Sequence, residues 1–363
     1  MNSRERFIAT MEYQPADQVY FLTSGGWPET EERWRKEGWD GTPLEDVFGS
    51  DHMLWSGDLF WPNPPFEEKT LEEDDHTRVF VNEEGIVMKV LKDHRYSSMP
   101  QFVRFPVESR EDFRKFAKER LQPNLMERMG PDAEDTFRQW RERTAPLFVV
   151  ADRWGGFFGS IRNLVGVENL CMMLHDDPAF VEEMMDYFAE YQIEMMRQVL
   201  DHTDIDVFGF WEDMAYKTAP LIGPDMVRKY MLPRYRKVVD YLSSRGVKYF
   251  SLDSDGDITS LVPVWLDAGI NLIYPFEVQA GMDCVKFRKE FGKELRMWGN
   301  IDKKAIADGP ARIDAEFDRV RPLIEEGGYL PWVDHSCPPD ISWENYCYYI
   351  KKLGEECRAA GKL

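Results

Sequence analysis

The chain has 363 residues, 43% of them hydrophobic and 14% aromatic, and a formal net charge of −21 at pH 7. That length suits a single α/β barrel with insertions, and the apolar content excludes a disordered chain. The acidic excess argues against nucleic acid or an anionic membrane as partner, and no apolar run approaches the roughly 20 residues that span a bilayer. The N-terminal residues Met1 to Phe7 lack the apolar stretch of a signal peptide, and the cysteines Cys171, Cys284, Cys337, Cys347 and Cys357 are scattered. Both features fit a cytoplasmic protein with free thiols.

In chain order, Asn2 to Met11 reads as an amphipathic helix ended by Pro15. Gln18 to Leu22 is the first expected strand, leading into the loop Thr23 to Pro28, which contains Gly25, Gly26 and Trp27. A second strand is expected at Asp51 to Trp55, then a proline-rich loop at Phe60 to Pro65. Thr77 to Val81 and Ile86 to Leu91, separated by a turn with Gly85, predict a β-hairpin inserted in the barrel near 77–91. Ser109 caps a helix to Arg120, and a polar helical stretch runs on to about Arg143.

Leu147 to Ala151 is a buried-strand run ending in a loop rich in glycine and aromatics, Asp152 to Gly159, with Trp154, Phe157 and Phe158. Either this loop walls a ligand, with Arg153 or Arg162 contacting an anion, or it is a tight strand-to-helix turn. A long helix from Asp177 to about Leu200 carries Val181, Met184, Met185, Phe188, Met195, Met196 and Val199 at helical spacing, a core stripe. Asp206 to Asp213 is the next strand, and Pro224 opens a helix that Pro233 interrupts.

The last third holds three further strand-like runs and a fourth that ends in a histidine. They finish at Asp253-Ser254-Asp255, at Glu277, at Asn300 and Asp302, and at His335 with Cys337. Apolar runs near residues 19, 52, 148, 207, 248, 272, 296 and 329 together match the eight strands of a (β/α)8 barrel of the TIM type, in one domain spanning 1–363. Parallel strands point their C-termini the same way, so these polar residues should share one mouth. Alternation along a strand pairs Asp253 with Asp255 and His335 with Cys337.

Two chemistries remain open from the residues alone. In one, a divalent metal, zinc foremost, is held by His335 with some of Asp253, Asp255, Glu212, Glu277 and Cys337. In the other, carboxyls such as Asp255, Glu212 and Asp213 do acid-base work without metal. A bland reading competes at each position, because an acid at a strand end is often only a helix cap.

Several segments together resemble the uroporphyrinogen decarboxylase superfamily: Ser3 to Phe7 with Pro15 to Asp17, Glu212-Asp213 with Pro220 to Pro224, Ser254 to Asp257, Gly299-Asn300 with Asp302-Lys303, and Gly327-Gly328-Tyr329 with Pro339-Asp340 and Glu344-Asn345. The similarity covers most of the chain and is weakest from Gly41 to Arg143. It implies one barrel with a deep cleft, and either of two activities: cofactor-free decarboxylation of porphyrinogen acetates, or zinc-dependent methyl transfer involving a corrinoid protein. The decarboxylases carry arginines after the first strand, whereas Thr23 to Pro28 has none before Arg33. The corrinoid methyltransferases of that superfamily have a His-x-Cys pair where Asp253 and Asp255 stand here.

Relatives that demethylate aryl ethers use acid and histidine ligands, which suits this chain better. The resemblance then implies zinc as Lewis acid and cobalamin supplied by a separate corrinoid protein, since no cobalamin-binding domain is visible in the chain. Trp27, Trp154, Phe157, Phe158 and Trp211 would wall a small aromatic methyl-ether substrate, with Arg162 and Asn300 as further binding residues. A cofactor-free decarboxylase of a small acid and a non-catalytic binding protein are the competing expectations.

Overall fold

Strands that are apolar on both faces belong inside an α/β fold with helices around them. Leu147 to Val150 is such a run, and all of it is buried. The computed structural model describes residues 1–93, 99–150 and 152–362. Among these residues the strands form two sheets. In chain order the strands are β1 (Leu54–Trp55), β2 (Lys69–Glu73), β3 (Thr77–Val81), β4 (Val87–Leu91), β5 (Gln101–Arg104) and β6 (Leu147–Val150). They continue with β7 (Val207–Trp211), β8 (Tyr249–Asp253), β9 (Leu272–Tyr274), β10 (Arg296–Ile301) and β11 (Tyr329–Val333).

The larger sheet has seven strands in the order β1-β6-β7-β8-β9-β10-β11, and every neighbouring pair is parallel. Helices connect β6 through β11, so their C-terminal ends lie on one side. The expected strand near residue 19 is not a strand. Its N–H groups find scattered partners instead of a ladder: Val19 N–H donates to the Cys357 carbonyl at 3.0 Å, Tyr20 N–H to Thr10 Oγ1 at 3.1 Å and Phe21 N–H to Asp51 Oδ2 at 3.3 Å.

That segment nonetheless touches both ends of the row of strands. The Phe21 carbonyl accepts from Asp51 N–H, just before β1, at 3.0 Å, and Gly26 forms a parallel bridge with Cys337, just past β11. The result is a TIM-like α/β fold with seven parallel strands, in place of the eight expected.

The predicted hairpin exists as β3 and β4, paired antiparallel, but β2 and β5 flank it in a four-stranded sheet. The two outer strands are exposed along their whole length. With no buried face they carry no alternation of polar and apolar residues, so they do not read as strands.

Two apolar clusters hold the fold. Inside the curve of the sheet, Phe7 of the helix Ser3–Met11 meets Tyr20, Phe148 and Tyr249 edge-on at centroid distances of 5.4, 5.4 and 5.6 Å. Val207, Leu272, Tyr274, Trp298 and Leu330 belong to the same cluster. Outside the sheet, the helix Pro178–His202 buries the methionine stripe completely, as its spacing predicts. Pro233 does not break the helical run over 224–244; a π-helical turn, Val227–Met231, sits immediately before it, where the helix absorbs the missing N–H.

Candidate metal centre at the strand ends

The polar residues that converge lie just past the strands. β8 ends at Asp253, β9 at Tyr274 and β11 at Val333, and Asp255, Glu277 and His335 follow in the turns. One donor atom from each of these three lies within 4.8 Å of the others. His335 Nε2 is 3.7 Å from Asp255 Oδ2. All three side chains are partly buried.

Glu277 is held from two sides. Gly256 N–H donates to its Oε2 at 3.1 Å, and the Lys303 ammonium bonds Oε1 at 3.0 Å. Trp27 stands edge-on to His335 with centroids 6.0 Å apart. The Asp255 carboxylate holds the His335 imidazole above its ordinary pKa, and burial opposes that rise. The buried Asp334 ties the strand ends together, accepting N–H bonds from Val278 at 2.9 Å and Lys303 at 3.0 Å. Burial pushes its carboxyl up to about 6.

Two carboxylates and an imidazole with an open side make a donor set for a divalent ion such as zinc. Donors around a tetrahedral ion stand roughly 3.3–3.6 Å apart. The His335–Asp255 separation of 3.7 Å is close to that, and Glu277, within 4.8 Å of both and bonded to Lys303, would have to close in to complete the set.

The expected partners of this trio lie elsewhere. Asp253 is the last residue of β8, level with Trp211 and Tyr274 on the neighbouring strands, and is not one of the three donors. Cys337 is fully buried, with Sγ 3.7 Å from Ser24 Oγ, and burial pushes its thiol up to about 12. It packs against the Thr23–Trp27 loop and is no fourth donor. Both pairings were expected from strand alternation, but the strands stop before Asp255 and His335, and alternation does not carry into a turn.

Glu212 and Asp213, which follow β7, differ in environment. Glu212 is buried and accepts bonds from Phe157 N–H and Gly159 N–H, both at 2.8 Å, and from the Tyr235 hydroxyl. Burial pushes its carboxyl up to about 7 despite those donors. It pins the glycine-rich loop onto β7 and faces no cleft. The close approach needs glycine, because a Cβ on Gly156 or Gly159 would lie 1.9 or 2.3 Å from the Trp211 carbonyl oxygen. Asp213 instead pairs with Arg162 at 2.5 Å, and the Arg162 and Arg153 guanidinium groups lie 4.6 and 5.7 Å from the Trp211 ring.

Trp154, Phe157 and Phe158, expected as ligand walls, have no exposed surface. Trp154 stacks on Phe116 at 5.8 Å and Phe157 meets Tyr235 at 4.9 Å, so this stretch is core beneath the loop. Asn300 is also buried and its amide is fully engaged: Nδ2 donates to the Phe276 and Met282 carbonyls and Oδ1 accepts from Cys284 N–H and Arg319, all at 2.9 Å. It clamps the β9 and β10 ends. Of the expected wall, Trp27 and Trp211 keep some exposure.

Two residues that brace these strand ends were not singled out as site residues from the sequence. Lys303 opens a helix capped by Asp302 and reads as an ordinary first-turn residue; nothing in the spacing says that its side chain turns back to Glu277. Tyr235 occupies an apolar helical position, and its bond to Glu212 is invisible until the helix is placed.

The family model described as uroporphyrinogen decarboxylase (URO-D) matches residues 95–354. No curated protein matches the sequence. Among solved structures, a methyltransferase from Methanosarcina mazei superposes with a TM-score of 0.62 at 16% identity, over 97% of this chain and 99% of that one, a likeness of fold. A sugar phosphate isomerase/epimerase from Parabacteroides distasonis reaches a TM-score of only 0.34 at 10% identity, over 64% of this chain and 90% of that one, and carries no argument. The family match spans well over half of the sequence, and with the strand-end motifs it agrees in making the chain a member of the uroporphyrinogen decarboxylase family.

Proposed function

We propose that this protein is a metal-dependent methyltransferase moving a methyl group between a small methyl-ether substrate, aromatic ethers foremost, and the cobalamin of a partner corrinoid protein. The observation that carries the reading is the meeting of Asp255, Glu277 and His335 at the strand ends. The whole-length likeness to a protein described as a methyltransferase supports it. So does the lack of arginine in Thr23 to Pro28, where a decarboxylase would hold substrate carboxylates.

In this reading Asp255, Glu277 and His335 hold zinc, which supplies Lewis acidity toward the ether oxygen. A partner's cobalamin would supply the methyl acceptor, and zinc on these residues would ease departure of the methyl group from the ether oxygen. The chain's own residues prepare this step. Gly256 N–H fixes one Glu277 oxygen, and Trp27 stands edge-on beside the His335 ring. Trp211, with Arg162 beside it, lines the approach from β7.

The test is metal analysis of purified protein together with demethylation of methoxyarenes in the presence of a corrinoid protein. One bound zinc per chain, and loss of methyl transfer on chelation and in His335→Ala, are expected. Carbon dioxide release from small acids in metal-free buffer, with no bound metal, would replace this reading with a decarboxylase.

A further inference from the structure

We infer that Trp332 is the residue that selects an aromatic substrate: the ring bearing the methoxy group lies against its indole, beneath the ion proposed for Asp255, Glu277 and His335. This rests on the metal reading above and deepens it, by naming what chooses the substrate's ring.

Exposure along the barrel strands locates the surface that a substrate can reach. Of the residues of β6 to β11, only Trp211, Asp253, Arg296 and Trp332 are not buried. Arg296 opens β10, at the end of the sheet away from the trio, and the other three lie at or next to the C-terminal ends of their strands. Alternation turns Trp332 inward, because Leu330, two residues before it, belongs to the cluster inside the curve of the sheet, and Trp332 packs on that cluster. Its indole meets Trp298 at 5.5 Å, and Trp298 in turn meets Tyr274 at 4.8 Å. Trp298 and Tyr274 are closed over, at 3% and 9% exposed, so Trp332 is the open member of this row. His335 follows it by three residues, which at roughly 3.3 Å per residue keeps the two within about 10 Å.

The indole is held in place. Trp332 Nε1–H donates to the Thr23 carbonyl at 3.2 Å, and the loop that Thr23 begins is fastened again past β11, where Trp27 N–H bonds the Cys337 carbonyl at 3.1 Å. Trp211, the other inward indole, already has the Arg162 guanidinium 4.6 Å from its ring centroid. Trp332 is therefore the apolar plane left for an uncharged ring. A fixed plane favours a flat π-system over a puckered ring of the same carbon skeleton, because aromatic contact adds to area burial, and little freedom is lost when the plane is already ordered.

Affinities of zinc-loaded protein for methoxybenzene and for methoxycyclohexane, measured by ligand-observed NMR titration, test the inference, because the two ethers are uncharged and share a carbon skeleton. The aromatic ether should bind about two- to tenfold more tightly. Trp332→Leu should bring that ratio to about one, and Trp332→Phe, which keeps a ring but not the bond to Thr23, should preserve a preference. A merely structural role would weaken both ethers alike and leave the ratio unchanged. Zinc content should be the same in Trp332→Leu as in the wild type, since Trp332 is not one of the donors. Zinc-loaded wild-type protein that binds both ethers equally or neither, or a preference that persists in Trp332→Leu, overturns this inference alone. The wild-type comparison needs no variant, so it decides even where Trp332→Leu fails to fold. Failure of the wild-type chain to bind zinc overturns the metal reading along with it.

Discussion

Replacing Glu212 by glutamine should change how stability depends on pH. The folded chain raises this carboxyl from 4.5 to about 7, chiefly because it is buried, with Phe157 N–H, Gly159 N–H and the Tyr235 hydroxyl offsetting part of that effect. Between those two values the folded state binds the proton more tightly than the unfolded chain. The group's contribution is therefore largest below the unfolded value and is lost as pH rises through about 7. At about 1.4 kcal/mol per pH unit, the loss across the window is about 3 kcal/mol. For a chain of this length that corresponds to about 4 °C in Tm.

Glu212→Gln cannot ionise, so it lacks this slope, and its amide also leaves one of the loop N–H groups without an acceptor, costing about 1–3 kcal/mol at every pH. Thermal unfolding followed by circular dichroism between pH 5 and pH 8 reads both effects. The wild-type advantage over the variant should shrink by most of those 4 °C as pH rises. Taking the difference between the two proteins removes the titration of Asp334, which the raised carboxyl near 6 would otherwise add with the same sign. Parallel curves for the two proteins would refute the reasoning, because they would mean that water reaches Glu212 and that it titrates as an ordinary acid.

Other outcomes follow from the same structure. Asp255→Asn or His335→Ala should weaken zinc binding by at least about a hundredfold in calorimetry, while Asp253→Asn, outside the trio of donors, should change it little. Gly159→Ala places a Cβ 2.3 Å from the Trp211 carbonyl oxygen, and should cost several kcal/mol, visible as a large fall in Tm or as insoluble expression. Met184→Ala empties a fully buried position on the long helix and should cost about 2–5 kcal/mol, read as a Tm lowered by about 3–6 °C.

What could be read from the sequence followed from how each segment is buried. β6 through β11 announce themselves because both faces are covered, so they appear as short apolar runs with polar turns. The methionine stripe of Pro178–His202 is legible for the helical analogue of that reason. Val19 to Leu22 has the same apolar look, yet its backbone bonds to the Thr10 and Asp51 side chains and to the backbone of Asp51 and Cys357, a choice set by distant residues. The meeting of Asp255, Glu277 and His335 was foreseeable because parallel strands deliver their ends together. Membership of Asp253 and Cys337 was not excluded, because where a ladder stops is decided by neighbouring strands. The burial of Trp154, Phe157 and Phe158 was equally hidden, since a glycine-rich aromatic loop looks the same whether it lines a cleft or caps a core.

The backbone around the strand ends carries a further argument for where the chemistry lies. Asp213, Phe276 and Asn300 adopt φ of +40°, +58° and +68°, in the left-handed region that disfavours side-chain-bearing residues, and they follow or end β7, β9 and β10. Each costs on the order of 1–3 kcal/mol and persists only where its surroundings impose it. Those surroundings are visible. The Asn300 amide is fixed by Phe276, Met282, Cys284 and Arg319, and Gly299 passes so near β9 that a Cβ there would lie 2.0 Å from the Pro275 carbonyl oxygen. Phe276 immediately precedes Glu277, so its reversal is what turns that carboxylate toward Gly256 N–H and Lys303. Had β9 simply run on beyond Tyr274, Glu277 would stand off the trio by the rise of the strand, roughly 3.3 Å per residue. The left-handed turn at Phe276 and the placement of Glu277 are thus one feature: the fold gives up stability at this turn to hold a carboxylate beside His335 and Asp255.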